Sequence, residues 1–162
     1  MSAAPDTTIY AHHASCMQEA LVQARIAGAL GEVPVGAVVA QGAHILGRGH
    51  NLRESRGDPT AHAEVLAIRE AAANMGNWRL SGCTLYVTLE PCPMCAGAIV
   101  LARLDAVWYG AADPRAGCCG SVYRITEDPA FAHEVPAHGG LLAGECTALL
   151  DAFFADKRLQ SP

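Results

Sequence analysis

Cys83-Thr-Leu-Tyr-Val-Thr-Leu-Glu-Pro-Cys-Pro-Met-Cys-Ala-Gly-Ala-Ile-Val-Leu-Ala-Arg-Leu-Asp-Ala-Val-Trp-Tyr109 decides the fold. Cys83 to Thr88 is a short apolar run rich in β-branched and aromatic residues, the pattern of a buried strand. Pro91 or Pro93 opens a helix that runs to about Arg103, because proline is pre-organised for a first helical turn. Ala106 to Tyr109 reads as a second strand. A strand, crossover helix, strand order implies parallel pairing with a right-handed crossover.

The flanking sequence supplies more layers. Met17, Ala20, Leu21, Ala24 and Gly28 recur at helical spacing, giving a first helix that ends near Gly28 and Gly31. Val35 to Ala40, a Gln41-Gly42 turn, and His44 to His50 form a β-hairpin. Asp58-Pro59-Thr60 is a helix-start signal ahead of the alanine-rich Ala61 to Asn74. Gly110 to Ala143 is glycine-rich and irregular. Cys146, Leu149, Leu150, Phe153 and Phe154 mark the apolar face of a closing helix. The expected architecture is a three-layer α/β/α domain, a mixed sheet with helices on both faces.

The chain has 162 residues, 51% of them hydrophobic and 17% charged. That length suits one domain over 1–162, with its core at about 9–158. Met1-Ser-Ala-Ala-Pro-Asp6 lacks the basic and apolar runs of a signal peptide, and no stretch is long and apolar enough to span a bilayer. A cytoplasmic protein with no membrane association is expected. Seven cysteines, an odd count without an export signal, favour thiols or metal ligands over a disulfide framework. Cys16, Cys83 and Cys146 fall in helix or strand patterns and are expected to be buried thiols. Cys118 and Cys119 read as small fillers and not as extra ligands. The net charge of −5 opposes an electrostatic grip on long nucleic acid. A small molecule or a locally bound nucleic acid remains compatible. The arginines between Arg48 and Arg124 are candidates for phosphate contact that sequence does not rank.

The chemistry lies in His62-Ala-Glu64 and Pro91-Cys92-Pro-Met-Cys95. One imidazole and two thiolates are suitable zinc ligands, and three protein ligands leave the fourth position open, as catalytic zinc sites do. Cys92 and Cys95 lie three apart, so one helix face presents both. His62 and Glu64 lie two apart and do not share a helix face. They can serve one centre only if it sits over the helix N-terminus, where the dipole favours thiolates. The expected cofactor is one zinc per subunit with a bound water or hydroxide as nucleophile. Glu64 is the expected proton carrier.

His-x-Glu with Pro-Cys-x-x-Cys is the signature of zinc nucleobase deaminases. Almost the whole chain resembles the bacterial tRNA-specific adenosine deaminases, which convert the wobble adenosine of an arginine tRNA to inosine. The resemblance lies in Glu32-Val-Pro-Val-Gly-Ala37, Asn51, Asp58 to Glu64, Thr84 to Cys92, Met94 to Ala98, Tyr109-Gly-Ala, Asp113, Gly117, Gly120-Ser121 and Glu145 to Phe154. It implies a cytidine deaminase-like fold with a five-stranded mixed sheet, and a homodimer whose partner helps shape the RNA site. It also implies that Asn51 binds the flipped base and ribose, and that Glu32, Val33 and Pro34 line the pocket. Asp113 would contact the ribose and backbone of the target nucleotide. Phe153, Phe154, Lys157 and Arg158 match the segment that meets the anticodon loop in that family. At least one of the two phenylalanines also fits the apolar stripe of the last helix as core. The chain departs from the family at Ala112, where a basic residue is common, and in a less basic tail, Asp156-Lys-Arg-Leu-Gln160.

The function expected is zinc-dependent hydrolytic deamination of adenosine 34 in a tRNA anticodon stem-loop. Two alternatives stay open: a deaminase of free guanine, cytosine or a nucleoside, and a non-catalytic zinc-stabilised RNA-binding subunit.

Overall fold

The computed structural model describes residues 7–161, so Met1–Asp6, read above as lacking a signal peptide, and Pro162 lie outside the described residues. The elements run α1 (Thr7–Ala29), β1 (Gly36–Gln41), β2 (His44–His50), α2 (Arg53–Arg56), α3 (Ala63–Met75), β3 (Thr84–Leu89), α4 (Pro93–Leu101), β4 (Ala106–Ala111), β5 (Ala137–His138) and α5 (Ala143–Gln160). The sheet order is β2-β1-β3-β4-β5. β1 is antiparallel to both β2 and β3, and β3, β4 and β5 are parallel. The parallel pair expected from residues 83–109 is present, joined by α4.

Strand alternation distributes the core over two faces. Ala37, Val39, Leu85, Val87 and Val107 pack with Ala63, Ala67 and Ala71 of α3 and with Ala96 and Ile99 of α4. Val38, Ala40 and Tyr86 pack instead with Cys16, Met17, Ala20 and Leu21 of α1 and with Cys146 of α5. β1 carries apolar residues on both faces because helices cover both.

Glycines set how closely the helices approach. A Cβ at Gly36 would lie 2.1 Å from the Ala20 carbonyl oxygen of α1, and Cβ atoms at Gly47 and Gly49 would lie 2.2 Å from the Ala67 and Ala63 oxygens of α3. Gly47→Ala and Gly49→Ala would force α3 off the sheet. Overpacking of this kind costs about 1–3 kcal/mol, and each should lower Tm by roughly 3–10 °C for a chain of this size. Calorimetry showing an unchanged Tm would contradict this packing.

Several boundaries differ from the expectation. α1 starts at Thr7, ahead of the Met17 stripe, because residues 7–15 are mostly exposed and carry no apolar period; Ala27, not Gly28, is its last buried contact. Asp58 does not start α3: its Oδ1 accepts bonds from the Thr60 N–H at 2.8 Å and the Thr60 hydroxyl at 2.7 Å, closing a local turn. The helix begins at Ala63, with His62 as its extended N-cap. α4 stops at Leu101, and Arg103 adopts a left-handed φ of 60° that ends any helical run. β5 is two residues long, and only the family resemblance implied a fifth strand. The expectation that at least one of Phe153 and Phe154 belongs to the core is corrected too. Neither Phe153 nor Phe154 enters a core cluster, since only the first half of α5 lies on the sheet. Cys16, Cys83, Cys118, Cys119 and Cys146 are buried free thiols, as read from the sequence.

Candidate active site

One end of the sheet's strands gathers the site. β2, β3 and β4 finish there and β1 begins there, since Gly36 pairs with His50 and Leu89 with Ala111. Chain segments leaving the C-terminal ends of strands line the ligand crevice of open α/β sheets. Here they deliver Asn51 after β2, Cys92 after β3 and Asp113 after β4.

His62 is the N-cap of α3 and Cys92 the N-cap of α4, both extended and neither capping its helix through its side chain. Glu64 and Cys95 follow within the first turns. Their spacing therefore brings two helix N-termini, with their partial positive charge, to one point. The His62 Nδ1 lies 3.7 Å from the Cys92 Sγ and 3.5 Å from the Cys95 Sγ, and all three ligand atoms lie within 4.8 Å of one another. A tetrahedral ion with bonds of about 2.3 Å to sulfur and about 2.0–2.1 Å to nitrogen separates such atoms by about 3.5 Å. The donor set fits a zinc ion in both chemistry and spacing. Among the described residues no other such group occurs, and Cys118 and Cys119 stand outside it.

The three side chains are strongly coupled to one another. The Cys92 thiol is drawn down to about 4, first by the hydrogen bond from the Cys95 thiol and then by His62. Cys95 is pushed up by the same pairing and by burial, and His62 is raised by its bond to Cys92. Glu64 is 4% exposed, and burial pushes its carboxyl up to about 7. A group near neutrality can both take and return a proton.

A cavity of about 250 Å³ opens over these residues, lined in part by Val33, Asn51, Arg53, Glu64 and Asp113. Asn51, 8% exposed, donates from Nδ2 to the Val33 carbonyl at 3.3 Å and accepts the Arg53 N–H at 3.1 Å. It ties the loop before β1 to α2. Glu32 and Pro34 are buried and are not among the lining residues. The Glu32 carboxylate instead accepts the N–H groups of Glu54, at 3.2 Å, and Ser55, at the start of α2. Burial works against its ionisation, but these hydrogen bonds prevail and hold it below the usual carboxylate range. A lowered folded pKa stabilises above the unfolded value of about 4.3 and is lost as pH falls through the folded one. Glu32→Gln should therefore cost about 1–3 kcal/mol at pH 7. The Tm gap to the wild type should close in acid; a gap constant with pH would contradict the assignment.

The cavity opens into a wider groove of about 1110 Å³, sharing Val33, Leu89, Asp113 and Ala116 with it. Phe154, 44% exposed, Lys157 and Arg158 line that groove with Arg115. Phe153 lies outside the lining, in edge contact with Phe154 at 5.4 Å between ring centroids and under the Lys157 ammonium at 5.5 Å. Sequence reasoning missed Glu90 on the cavity wall and did not single out Arg53 or Arg115. Glu90 offered one signal, a carboxylate at the end of an apolar strand. Its partners lie 23 to 31 residues downstream.

A MafB19-like deaminase family model matches residues 11–128. A tRNA-specific adenosine deaminase of Bacillus subtilis is 49% identical over 142 residues, spanning 88% of each chain. A solved structure from a study of A-to-I editing by tRNA:A34 deaminases at the wobble position of transfer RNA is 43% identical. It superposes with a TM-score of 0.80 over 84% of this chain and 99% of that one. A guanine deaminase from Nitrosomonas europaea, 23% identical with a TM-score of 0.69 over 96% of this chain and 87% of that one, shares the fold. With its mixed five-stranded sheet, its histidine and two cysteines at paired helix starts, and relatives matched over nearly their full length, this chain belongs to the tRNA-specific adenosine deaminase family.

Proposed function

We propose that the protein hydrolyses adenosine 34 of a tRNA anticodon, that of an arginine tRNA, to inosine and ammonia, using one zinc per subunit. The observation that carries this is a three-ligand cluster, with one coordination position left for substrate chemistry, beside the buried carboxyl of Glu64. Zinc held by His62, Cys92 and Cys95 would act as a Lewis acid and bring the pKa of a bound water near 7. Glu64 takes a proton from the attacking water and delivers it to N1 of the adenine. Oxygen adds at C6. The same carboxyl, left as carboxylate, then takes the remaining proton of the new C6 hydroxyl and passes it to the amine, so the C6–O carbonyl forms as the C6–N bond breaks and ammonia leaves. Asn51 and Val33 hold the extruded base, and Asp113 meets the sugar of the same nucleotide.

The groove supports a substrate longer than a free base. Along it Arg115, Lys157 and Arg158 outnumber Asp113 and Asp151, a small local excess of positive charge on a chain whose net charge is −5, and exposed Phe154 offers a surface for an unstacked base. Pro93, Met94, Gly97, Ala98 and Leu101 form an outward face of α4 without a charged residue, Leu101 being 72% exposed, which supports a homodimer. Among the described residues no helix is long and apolar enough to cross a membrane, in keeping with a cytoplasmic enzyme. Incubation with an arginine tRNA anticodon stem-loop, and separately with free guanine, cytosine and adenosine, tests the substrate. Ammonia from the stem-loop is expected, and ammonia from the free compounds alone would transfer the assignment to a nucleobase or nucleoside deaminase.

A further inference from the structure

Glu90 is a carboxylate 2% exposed, lining the catalytic cavity yet absent from the ligand cluster and from the proton path. Its oxygens are fully engaged. Oε2 accepts the Asp113 N–H at 2.9 Å and the Ser121 hydroxyl, and Oε1 accepts the Cys119 N–H at 3.1 Å and the Ser121 N–H at 2.9 Å. A carboxylate has about four acceptor positions, so this one is saturated and has none left for a metal or substrate. Every donor belongs to the segment from Asp113 to Ser121, which carries no helix or strand of its own. The neighbouring residue adds another tie: the Pro91 carbonyl accepts the Cys118 N–H at 2.8 Å. Gly117 allows the close approach, because a Cβ there would lie 2.3 Å from the Glu90 Cδ and 2.5 Å from the Asp113 carbonyl oxygen. Three consecutive residues thus hold the loop through a side chain at Glu90, hold it through a backbone oxygen at Pro91, and carry a metal ligand at Cys92.

We infer that Glu90 is a positioning residue, whose carboxylate fixes the Asp113–Ser121 loop against the Cys92 segment and so sets where the substrate's sugar and backbone lie relative to the reacting carbon. The inference rests on the proposed role of Asp113 at the target nucleotide. An amide in its place keeps one acceptor oxygen and sets an NH2 donor against the loop's own donors, so at least one of the three backbone N–H groups loses its acceptor and the loop loses its registration with the Cys92 segment. Binding made equally to ground and transition state should suffer, while the proton chemistry at Glu64 stays intact.

The test compares kcat, KM on an arginine tRNA anticodon stem-loop, and metal per chain for Glu90→Gln, Ser121→Ala, Asp113→Ala and the Glu90→Gln/Asp113→Ala double variant. Glu90→Gln should raise KM about tenfold, equivalent to about 1.4 kcal/mol, with kcat within about threefold and metal content unchanged. Ser121→Ala, which removes one donor and leaves the buried carboxylate in place, should raise KM in the same direction by a smaller factor. The double variant should be no worse than about twofold beyond the poorer single, because both act through one contact. Fully multiplicative KM effects, an unchanged KM in Glu90→Gln, or loss of metal with Glu90→Gln would overturn the inference. Should Glu90→Gln fail to fold, an unchanged KM in Ser121→Ala would overturn it alone. If the wild type accepts only a free nucleobase, the proposed function fails instead, and the same series on that nucleobase should then leave KM unaltered in every Glu90 and Ser121 variant if Glu90 acts only through the sugar-contacting loop; a raised KM there would overturn the inference.

Discussion

Glu64→Gln should lower kcat by about 10⁴-fold while leaving the metal in place. The buried carboxyl of Glu64 sits at the first turn of α3, two residues from the ligand His62, and its side chain is isosteric with glutamine. The substitution therefore removes the proton carrier with little change in volume. General acid–base groups contribute about 10²–10⁴-fold, and the upper end applies because in the proposed reaction one carboxyl serves first as base and then as acid. Single-turnover rates on the anticodon stem-loop, with elemental analysis of the same preparation, check it. Full metal content with a kcat close to wild type would mean that another group carries the proton.

The second large effect falls on the ligands. His62→Ala, Cys92→Ser and Cys95→Ser should each weaken metal binding by more than about 100-fold, since changing even a partner of a ligand costs about 10–100-fold. Cys95 is wholly buried, so its replacement also puts a hydroxyl in the interior in place of the thiol. Ligand binding to the folded state alone stabilises it by mass action. Chelation should therefore lower the Tm of the wild type and leave that of the three variants unmoved. A variant that keeps stoichiometric metal, or a wild type whose Tm ignores the chelator, would remove that residue or the whole cluster from the metal site.

The clustering of His62, Cys92 and Cys95 beside the buried Glu64 was legible because its information is local: His-x-Glu and Cys-x-x-Cys each lie within one helical turn, and strand patterns around residues 84–111 fix where the turns begin. The start of α3 was misplaced because Asp58-Pro59-Thr60 satisfies a capping rule and a turn rule equally well, and the turn won. That shift has a structural consequence, since it makes His62 the N-cap, with its Nδ1 within 3.5–3.7 Å of both sulfurs. Glu32 and Glu90 were beyond reach for a different reason. Each carboxylate serves backbone N–H groups of a segment 22 to 31 residues away, in a four-residue helix and an irregular loop that carry no period to read. Phe153 and Phe154 continue the stripe of Leu149 and Leu150, yet α5 outruns the sheet, and periodicity does not report where a supporting surface stops.

Editing of a wobble adenosine, proposed for this site, admits a direct test. The direct measurement is reverse transcription and sequencing of an arginine tRNA transcript after incubation with the purified zinc-loaded protein, because inosine is copied as guanosine. Conversion at position 34 alone, abolished by Glu64→Gln, is the result expected. A transcript that still reads adenosine at position 34 after prolonged incubation, with the protein folded and metal-loaded, would contradict it.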